Sequence, residues 1–197
     1  MQINFYRKDN LSYVVIDEYF TDEEYSEVLS EVRDLKRLSV NPKLTASAKN
    51  ESGDALKTGK GVFVDQLYRG NRDASPLLRT GRKIFDEKLC NALEKCDVIF
   101  NAIRESNVDT MLINYYSPGE IYKTHKDTCN ITAISLMGWG DFSGGGFCFP
   151  DQDITVSFKQ GRTVVFPSCA NHSSEPIQGS DEDCRVSVAH FMWGEDH

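Results

Sequence analysis

The stretch Thr110–Asp127, TMLINYYSPGEIYKTHKD, decides how this chain reads. A β-forming run, Thr110–Tyr116, meets a Pro118-Gly119 turn signal, and a second run, Ile121–Asp127, follows it. The second run carries an imidazole and a carboxylate two residues apart. Side chains alternate along a strand, so His125 and Asp127 are expected to share one face while Lys126 points away. Further short β-runs come next: Ile131–Met137, Gly146–Phe149, Ile154–Phe158, Thr163–Pro167, His172–Ile177 and Cys184–Trp193, separated by Gly-rich turns. Seven or eight short strands at this spacing predict a sandwich or a barrel.

The half ahead of these strands is different. Tyr13–Asp17 reads as a short strand, and a helix opens at Thr21. Thr21 and Glu24 form a capping box, Phe20 and Tyr25 a hydrophobic staple, and Val28, Leu29, Val32 and Leu35 an apolar stripe at helical spacing. Ser75-Pro76 starts a second helix whose buried face is Leu77, Ile84, Phe85, Leu89 and Leu93. Gly81 weakens that helix by about 1 kcal/mol relative to Ala. Val40–Gly61 is polar and aperiodic, too long for an idle connection, and reads as a functional lid or a disordered stretch. The expectation is one α+β domain over 1–197. Residues 1–106 form an N-terminal support with a mobile loop at about 40–61. Residues 107–195 form a β-barrel core, with two helices packed on one outer face.

Composition sets limits on function. The chain is 40% hydrophobic and 26% charged, as an ordinary globular protein is, with a net charge of -8. That charge disfavours a nucleic-acid partner and points to a basic or neutral target. Lys57, Lys60, Arg69 and Arg72 are the best candidate for a local basic patch, and a solvated loop face is the simpler reading of them. No apolar run approaches the roughly 18 residues of a membrane helix, and no signal-peptide core follows the first charges. Six scattered cysteines without a CxxC pair fit reduced thiols in the cytoplasm. Oligomeric state is not legible.

A His-x-Asp pair alone is a common accident. A third ligand must come from another strand, and His172 begins a late one. His190 has the opposite strand parity to Arg185 and Ser187 and is placed outside the site; His197, the last residue, is expected to fray. Two imidazoles and one carboxylate leave one face of a metal open, the donor set of non-haem Fe(II) sites. Zinc hydrolysis fits less well, since no separate general base stands out.

Four segments together carry a resemblance. They are Tyr116–Asp127, the Gly-rich run Gly144-Gly145-Gly146-Phe147-Cys148-Phe149-Pro150, Gly161–Ser168 followed by His172–Pro176, and Arg185-Val186-Ser187 with Trp193 closing. Over roughly residues 110–193 the chain resembles the 2-oxoglutarate/Fe(II)-dependent dioxygenases, in the prolyl 4-hydroxylase branch. Val15–Phe20 and the helix after it are similar to the entry of that branch, less specifically. The resemblance implies a double-stranded β-helix, a jelly-roll or cupin-like barrel. It implies Fe(II) held by His125, Asp127 and His172, with 2-oxoglutarate and O2 as co-substrates and ascorbate as an optional addition. It assigns Arg185 to the distal carboxylate of 2-oxoglutarate, and the Tyr116 and Tyr122 hydroxyls to contacts with the same molecule, with Ser187 beside Arg185.

Physical need agrees in part. The planar fork of an arginine matches a carboxylate. The simpler reading of Arg185 is a surface residue pairing with Asp181, Glu182 or Asp183. The His172-to-Arg185 spacing is longer than the family's, because Gly179–Asp183 extends the hairpin. Tyr122 has the wrong parity to face the metal with His125 unless a bulge intervenes. Trp193 shares the inward parity of Arg185 and fits barrel-end packing equally well. Branch membership implies a prolyl residue in a peptide or protein as substrate. The alternatives are a same-fold dioxygenase acting on a free amino acid, small metabolite or nucleobase, and a non-catalytic metal-binding β-barrel.

Overall fold

A computed structural model describes residues 1–194; the expectation for His197 lies outside the described residues. The chain opens with a hairpin, β1 (Gln2–Lys8) and β2 (Leu11–Asp17), turning at Asp9 with φ 53°. Then come α1 (Asp22–Leu35), β3 (Lys60–Phe63), α2 (Val64–Leu67), α3 (Pro76–Gly81), α4 (Glu87–Glu94) and α5 (Asn101–Glu105). The remaining strands are β4 (Val108–Tyr116), β5 (Tyr122–His125), β6 (Ile131–Trp139), β7 (Ser143–Gly144), β8 (Phe147–Phe149), β9 (Ile154–Val156), β10 (Thr163–Pro167), β11 (His172–Ser174), β12 (Ile177–Gln178) and β13 (Cys184–Trp193).

Two antiparallel sheets face each other. The larger has seven strands in the order β1-β2-β10-β6-β13-β4-β3, the smaller has four in the order β5-β11-β8-β9, and β12 pairs with β7 beside them. Alternation along the large sheet sorts the core into two parts. Met111, Ile113, Val186, Val188 and Met192 point outward and pack against Val28, Val32, Leu77, Leu78, Leu93, Phe100 and Ile103 from the helices. Leu112, Leu136, Val164 and Ala189 point inward, toward Phe147, Phe149 and Phe166. The helices therefore cover one outer face of the barrel, as the sequence predicts.

The first helix begins as its sequence demands. Glu24 N–H donates to the Thr21 side chain at 3.2 Å, and Thr21 N–H donates to the Glu24 carboxylate at 2.8 Å. The second predicted helix does not run from 75 to 93. It breaks after Gly81 into a 3-10 turn, Arg82–Phe85, before α4 begins. Gly81 is where the helix meets the sheet: an added Cβ would lie 2.2 Å from the Met111 Cε, and Tyr19 Oη donates to the Gly81 carbonyl at 2.8 Å. That close approach and diverted carbonyl end the regular helix. The expected strand His172–Ile177 is also two strands, since Pro176 cannot donate to a ladder. β1, an exposed edge strand, is not predicted by the sequence reading, although Ile3 and Phe5 alternate as strand residues do.

On the outer face, beneath the helices, His190 Nε2 lies 2.8 Å from Asp109, and Arg72 makes a two-pronged contact with the same carboxylate at 3.0 and 2.9 Å. Arg82 adds a third contact. Burial pushes the Asp109 carboxyl up, but the hydrogen bonds from His190 and Arg72 prevail and hold it well below the usual carboxylate range. His190 is thus structural, as its parity indicates, and Arg72 belongs to this network instead of an exposed patch. No helix among the described residues is long and apolar enough to cross a membrane.

Removing the Asp109 charge should expose what this network contributes. Asp109→Asn is expected to lose about 2–4 kcal/mol at pH 7, read by urea unfolding. A carboxyl depressed in the folded state stabilises above the unfolded value of about 4 and loses that contribution as pH falls. The gap between variant and wild type should therefore narrow below about pH 4; a constant gap would refute the assignment.

Candidate active site

The small sheet brings the predicted ligands together. β11 pairs with β5 so that His172 stands directly opposite His125. Their rings lie 4.2 Å apart between centroids. Asp127 is not on the strand, as expected from alternation, because β5 ends at His125. A different bond places it: Asp127 N–H donates to the Ser168 carbonyl at 3.0 Å, tying the residue to the loop that leads into β11. Thr132 Oγ1 then donates to its carboxylate at 2.8 Å.

The donor atoms suit a metal. His125 Nε2 is 3.9 Å and His172 Nε2 is 3.4 Å from the Asp127 carboxylate oxygens, and one ligand atom from each residue falls within a sphere of contacts no wider than 4.8 Å. Cis ligands on a first-row metal with bonds of about 2.0–2.2 Å stand roughly 3 Å apart, so small adjustments would close the site. Each imidazole turns Nδ1 to a backbone carbonyl, Lys123 O at 2.8 Å and Ala170 O at 3.0 Å. With Nδ1 donating there, Nε2 keeps its lone pair for the centre. Burial pushes His125 down to about 3 and lowers His172, so both rings are neutral ligands at pH 7. Burial pushes the Asp127 carboxyl up; a cation between the three groups would reverse that penalty.

β5 carries the bulge that Tyr122 requires. His172 pairs with His125, yet Ser174 pairs with Tyr122, so β5 holds one residue more than β11 across this span. The extra residue returns Tyr122 to the inner face, where its ring stacks on His125 at 3.5 Å. Its hydroxyl accepts from the Ala48 N–H at 3.0 Å.

Arg185 is not a surface residue pairing with the acidic hairpin. It is fully buried, pairs across β4 with Tyr116, and its guanidinium carbon lies 5.1 Å from the Tyr116 ring centre. Its Nε donates to the Gly145 carbonyl at 3.0 Å, while both terminal nitrogens are buried without a partner. The Tyr116 hydroxyl is likewise unpartnered, and burial pushes it up to about 12. Asp183, the nearest acidic candidate in sequence, instead accepts from Asp141 N–H and Ser180 N–H and pins its own turn. Two orphaned guanidinium nitrogens and an orphaned hydroxyl fit a carboxylate-bearing molecule such as 2-oxoglutarate.

A cavity of about 480 Å³ opens beside these groups, with Arg185 set behind Tyr116 in its wall. His125, Asp127 and His172 line it together with Tyr116, Tyr122 and Ser187, and Phe191 and Trp193 form part of its wall. The segment over 40–61 supplies Thr45, Ala46 and Ala48. It is joined to β5 through Lys123 N–H to the Leu56 carbonyl and Thr58 N–H to the Ile121 carbonyl, both at 3.0 Å. Sequence reading missed two polar residues here. Asn114 shares the inward parity of Tyr116 and was findable on that ground. Lys57, read as part of a solvated face, is buried, and nothing in its local sequence signals this.

No protein-family model and no curated protein matches this chain. Solved structures do. A prolyl-4-hydroxylase of Pseudomonas putida aligns with a TM-score of 0.66 at 14% identity, over 95% of each chain. The viral collagen prolyl hydroxylase of Paramecium bursaria Chlorella virus-1, in its 2-oxoglutarate complex, aligns at 0.62 and 14%, over 93% of this chain and 96% of that one. A non-heme α-ketoglutarate-dependent epimerase of nogalamycin biosynthesis aligns at 0.56 and 15%, over 92% and 76%. The chain therefore has the double-stranded β-helix fold of the 2-oxoglutarate/Fe(II) oxygenases.

Replacing Asp127 by Ala should abolish Fe(II) or Mn(II) retention, measured by calorimetry on the metal-free chain, while thermal unfolding of that chain stays within a few degrees of wild type. Undiminished metal binding would remove Asp127 from the ligand set.

Proposed function

We propose that the chain is a single-domain Fe(II)- and 2-oxoglutarate-dependent dioxygenase of the cytoplasm. In this reading it hydroxylates a C–H bond of a prolyl residue in a peptide or protein. The carrying observation is the buried Arg185 guanidinium, with two unpartnered nitrogens, beside the same cavity as the His125-Asp127-His172 group. A metal site alone would serve many chemistries. A metal site with a buried, unsatisfied carboxylate receptor beside it serves a co-substrate that has a carboxylate at its far end.

The reaction balances simply: one O2 and one 2-oxoglutarate give succinate and CO2, and the second oxygen atom enters the substrate C–H bond. Bound Fe(II) supplies the O2 activation. The chain supplies placement. His125, Asp127 and His172 hold the metal through two neutral donors and one anion. Arg185 would orient the co-substrate by a charge-assisted pair from a fully buried position, where such a pair is strong. The Tyr116 hydroxyl donates to the same carboxylate, and Ser187 stands beside it on β13.

The prolyl assignment rests on the motif resemblance and on the prolyl hydroxylases among the structural neighbours. The epimerase among those neighbours shows that one fold serves more than one outcome. We assign the segment over 40–61 to a lid, because it supplies one wall of the cavity and bonds to Tyr122.

The central test adds O2 to the anaerobic chain loaded with Fe(II) and 2-oxoglutarate, with and without proline-containing peptides. Succinate formation and a one-oxygen mass gain on proline are expected; failure to bind 2-oxoglutarate would overturn the reading. Arg185→Ala should raise the 2-oxoglutarate requirement by roughly 10–100-fold with metal binding intact. Deleting the segment over 40–58 should abolish peptide turnover and spare uncoupled 2-oxoglutarate decarboxylation; equal loss of both would refute the lid.

A further inference from the structure

Arg185 is not the only buried cation close to the cavity walls; Lys57 does not line the cavity itself but is bonded to two residues that do. Lys57 is 2% exposed. Its ammonium donates to Thr45 Oγ1 at 3.0 Å and to Asn114 Oδ1 at 2.5 Å, and both acceptors line the cavity. Both are neutral. An ammonium has three donors, so one remains after these two bonds. The ammonium also lies 5.6 Å from the centre of the Tyr122 ring, the ring that stacks on His125. Burial, with no acidic neighbour offsetting it, pushes its pKa down to about 8. A buried ammonium without a counter-charge is costly, and natural interiors rarely keep one without use.

Arg185 lies on the large sheet, and Lys57, whose backbone bridges to Tyr122 on the facing sheet, reaches the next tier of that sheet through Asn114. Arg185 is opposite Tyr116, and the next inward pair along the same strands is Ser187 opposite Asn114, the acceptor for Lys57. Two residues along a strand advance about 7 Å. The next inward pair after that is Ala189 opposite Leu112, so the Lys57 tier lies between the Arg185 end and the apolar wall of Leu112, Phe63 and Phe191. Charge points the same way. A dication with Asp127 leaves one positive charge, and doubly anionic 2-oxoglutarate with Arg185 cancels it. Lys57 then remains as a positive charge with no anion to meet it.

The geometry points to Lys57 as the anchor for a carboxylate of the primary substrate, so that the molecule hydroxylated carries an acid group close to the carbon attacked. This rests on the dioxygenase reading above and narrows its substrate class. The carboxylate has two possible sources: a main-chain terminus, in a free amino acid or a C-terminal residue, or an acidic side chain flanking the target.

The test is calorimetric, on the full chain loaded anaerobically with Fe(II) and 2-oxoglutarate. Acid and amide pairs are compared: N-acetylproline against N-acetylprolinamide, and Glu-Pro against Gln-Pro peptide amides, with matching pairs built on leucine and phenylalanine. The wild type should bind the acid of at least one pair about tenfold or more tighter than its amide. Which pair does so identifies the source of the carboxylate. Lys57→Met should erase the preference, and Lys57→Arg should keep it. Lys57→Gln, which retains hydrogen bonding, serves if the Met variant does not fold. Binding of metal and 2-oxoglutarate should stay level in all variants. A Lys57-dependent preference seen only with leucine or phenylalanine pairs would sink the prolyl reading and support this one. Absence of acid preference in every wild-type pair would overturn this inference, and so would equal weakening of acid and amide in the neutral variants, which would leave Lys57 a structural pin.

Discussion

The pairing of β11 with β5 is the constraint on which the rest of the site depends. It sets His172 opposite His125, and the bulge in β5 turns Tyr122 back toward them. The loop before β11 then offers the Ser168 carbonyl that catches Asp127. His172, remote in sequence, meets the neighbouring His125 and Asp127 because a short ladder of backbone hydrogen bonds fixes them. The ligands' own interactions could not do this, since two neutral imidazoles and a buried carboxylate gain little from one another without a cation between them.

The two faces of the large sheet use charge in opposite ways. On the helix-covered face, the Asp109 carboxylate is met by His190, Arg72 and Arg82, so its charge is paired although the Arg72 Nε has no partner of its own. On the barrel face, Arg185 and Lys57 are buried with no carboxylate to meet them. A paired charge in an interior is structure. An unpaired one is an open valence, and here two of them stand directly behind cavity-lining residues, Arg185 beside Tyr116 and Lys57 beside Asn114, next to a group able to hold a metal. That asymmetry separates a binding site from a stabilising network more sharply than burial alone.

Much of this was legible in the chain itself. Strand parity separated Arg185 and Ser187 from His190, and the structure puts them on opposite faces. The capping box at Thr21 started the first helix where expected. Other readings failed for identifiable reasons. Alternation predicted a shared strand face for His125 and Asp127, but the strand stops and a loop bond does the work. The helix from Ser75 broke at Gly81, where the Met111 side chain packs against the glycine and the Tyr19 hydroxyl takes its carbonyl. β1 is an exposed edge strand, and the alternation of Ile3 and Phe5 was the only local sign of it.

Sequence alone determined which residues could be ligands, which face of β13 Arg185, Ser187 and His190 would occupy, and that a barrel would be backed by helices. These follow from local periodicity and residue chemistry, which neighbours in the chain fix. Only the tertiary structure decided that Arg185 is buried and unsatisfied, and that Lys57, in a stretch without period, lies beside Asn114 and Tyr122 inside the barrel. Whether a long cationic side chain ends in water or in a cavity depends on what packs around its tip. That is settled by strands remote in sequence, and no local pattern records it.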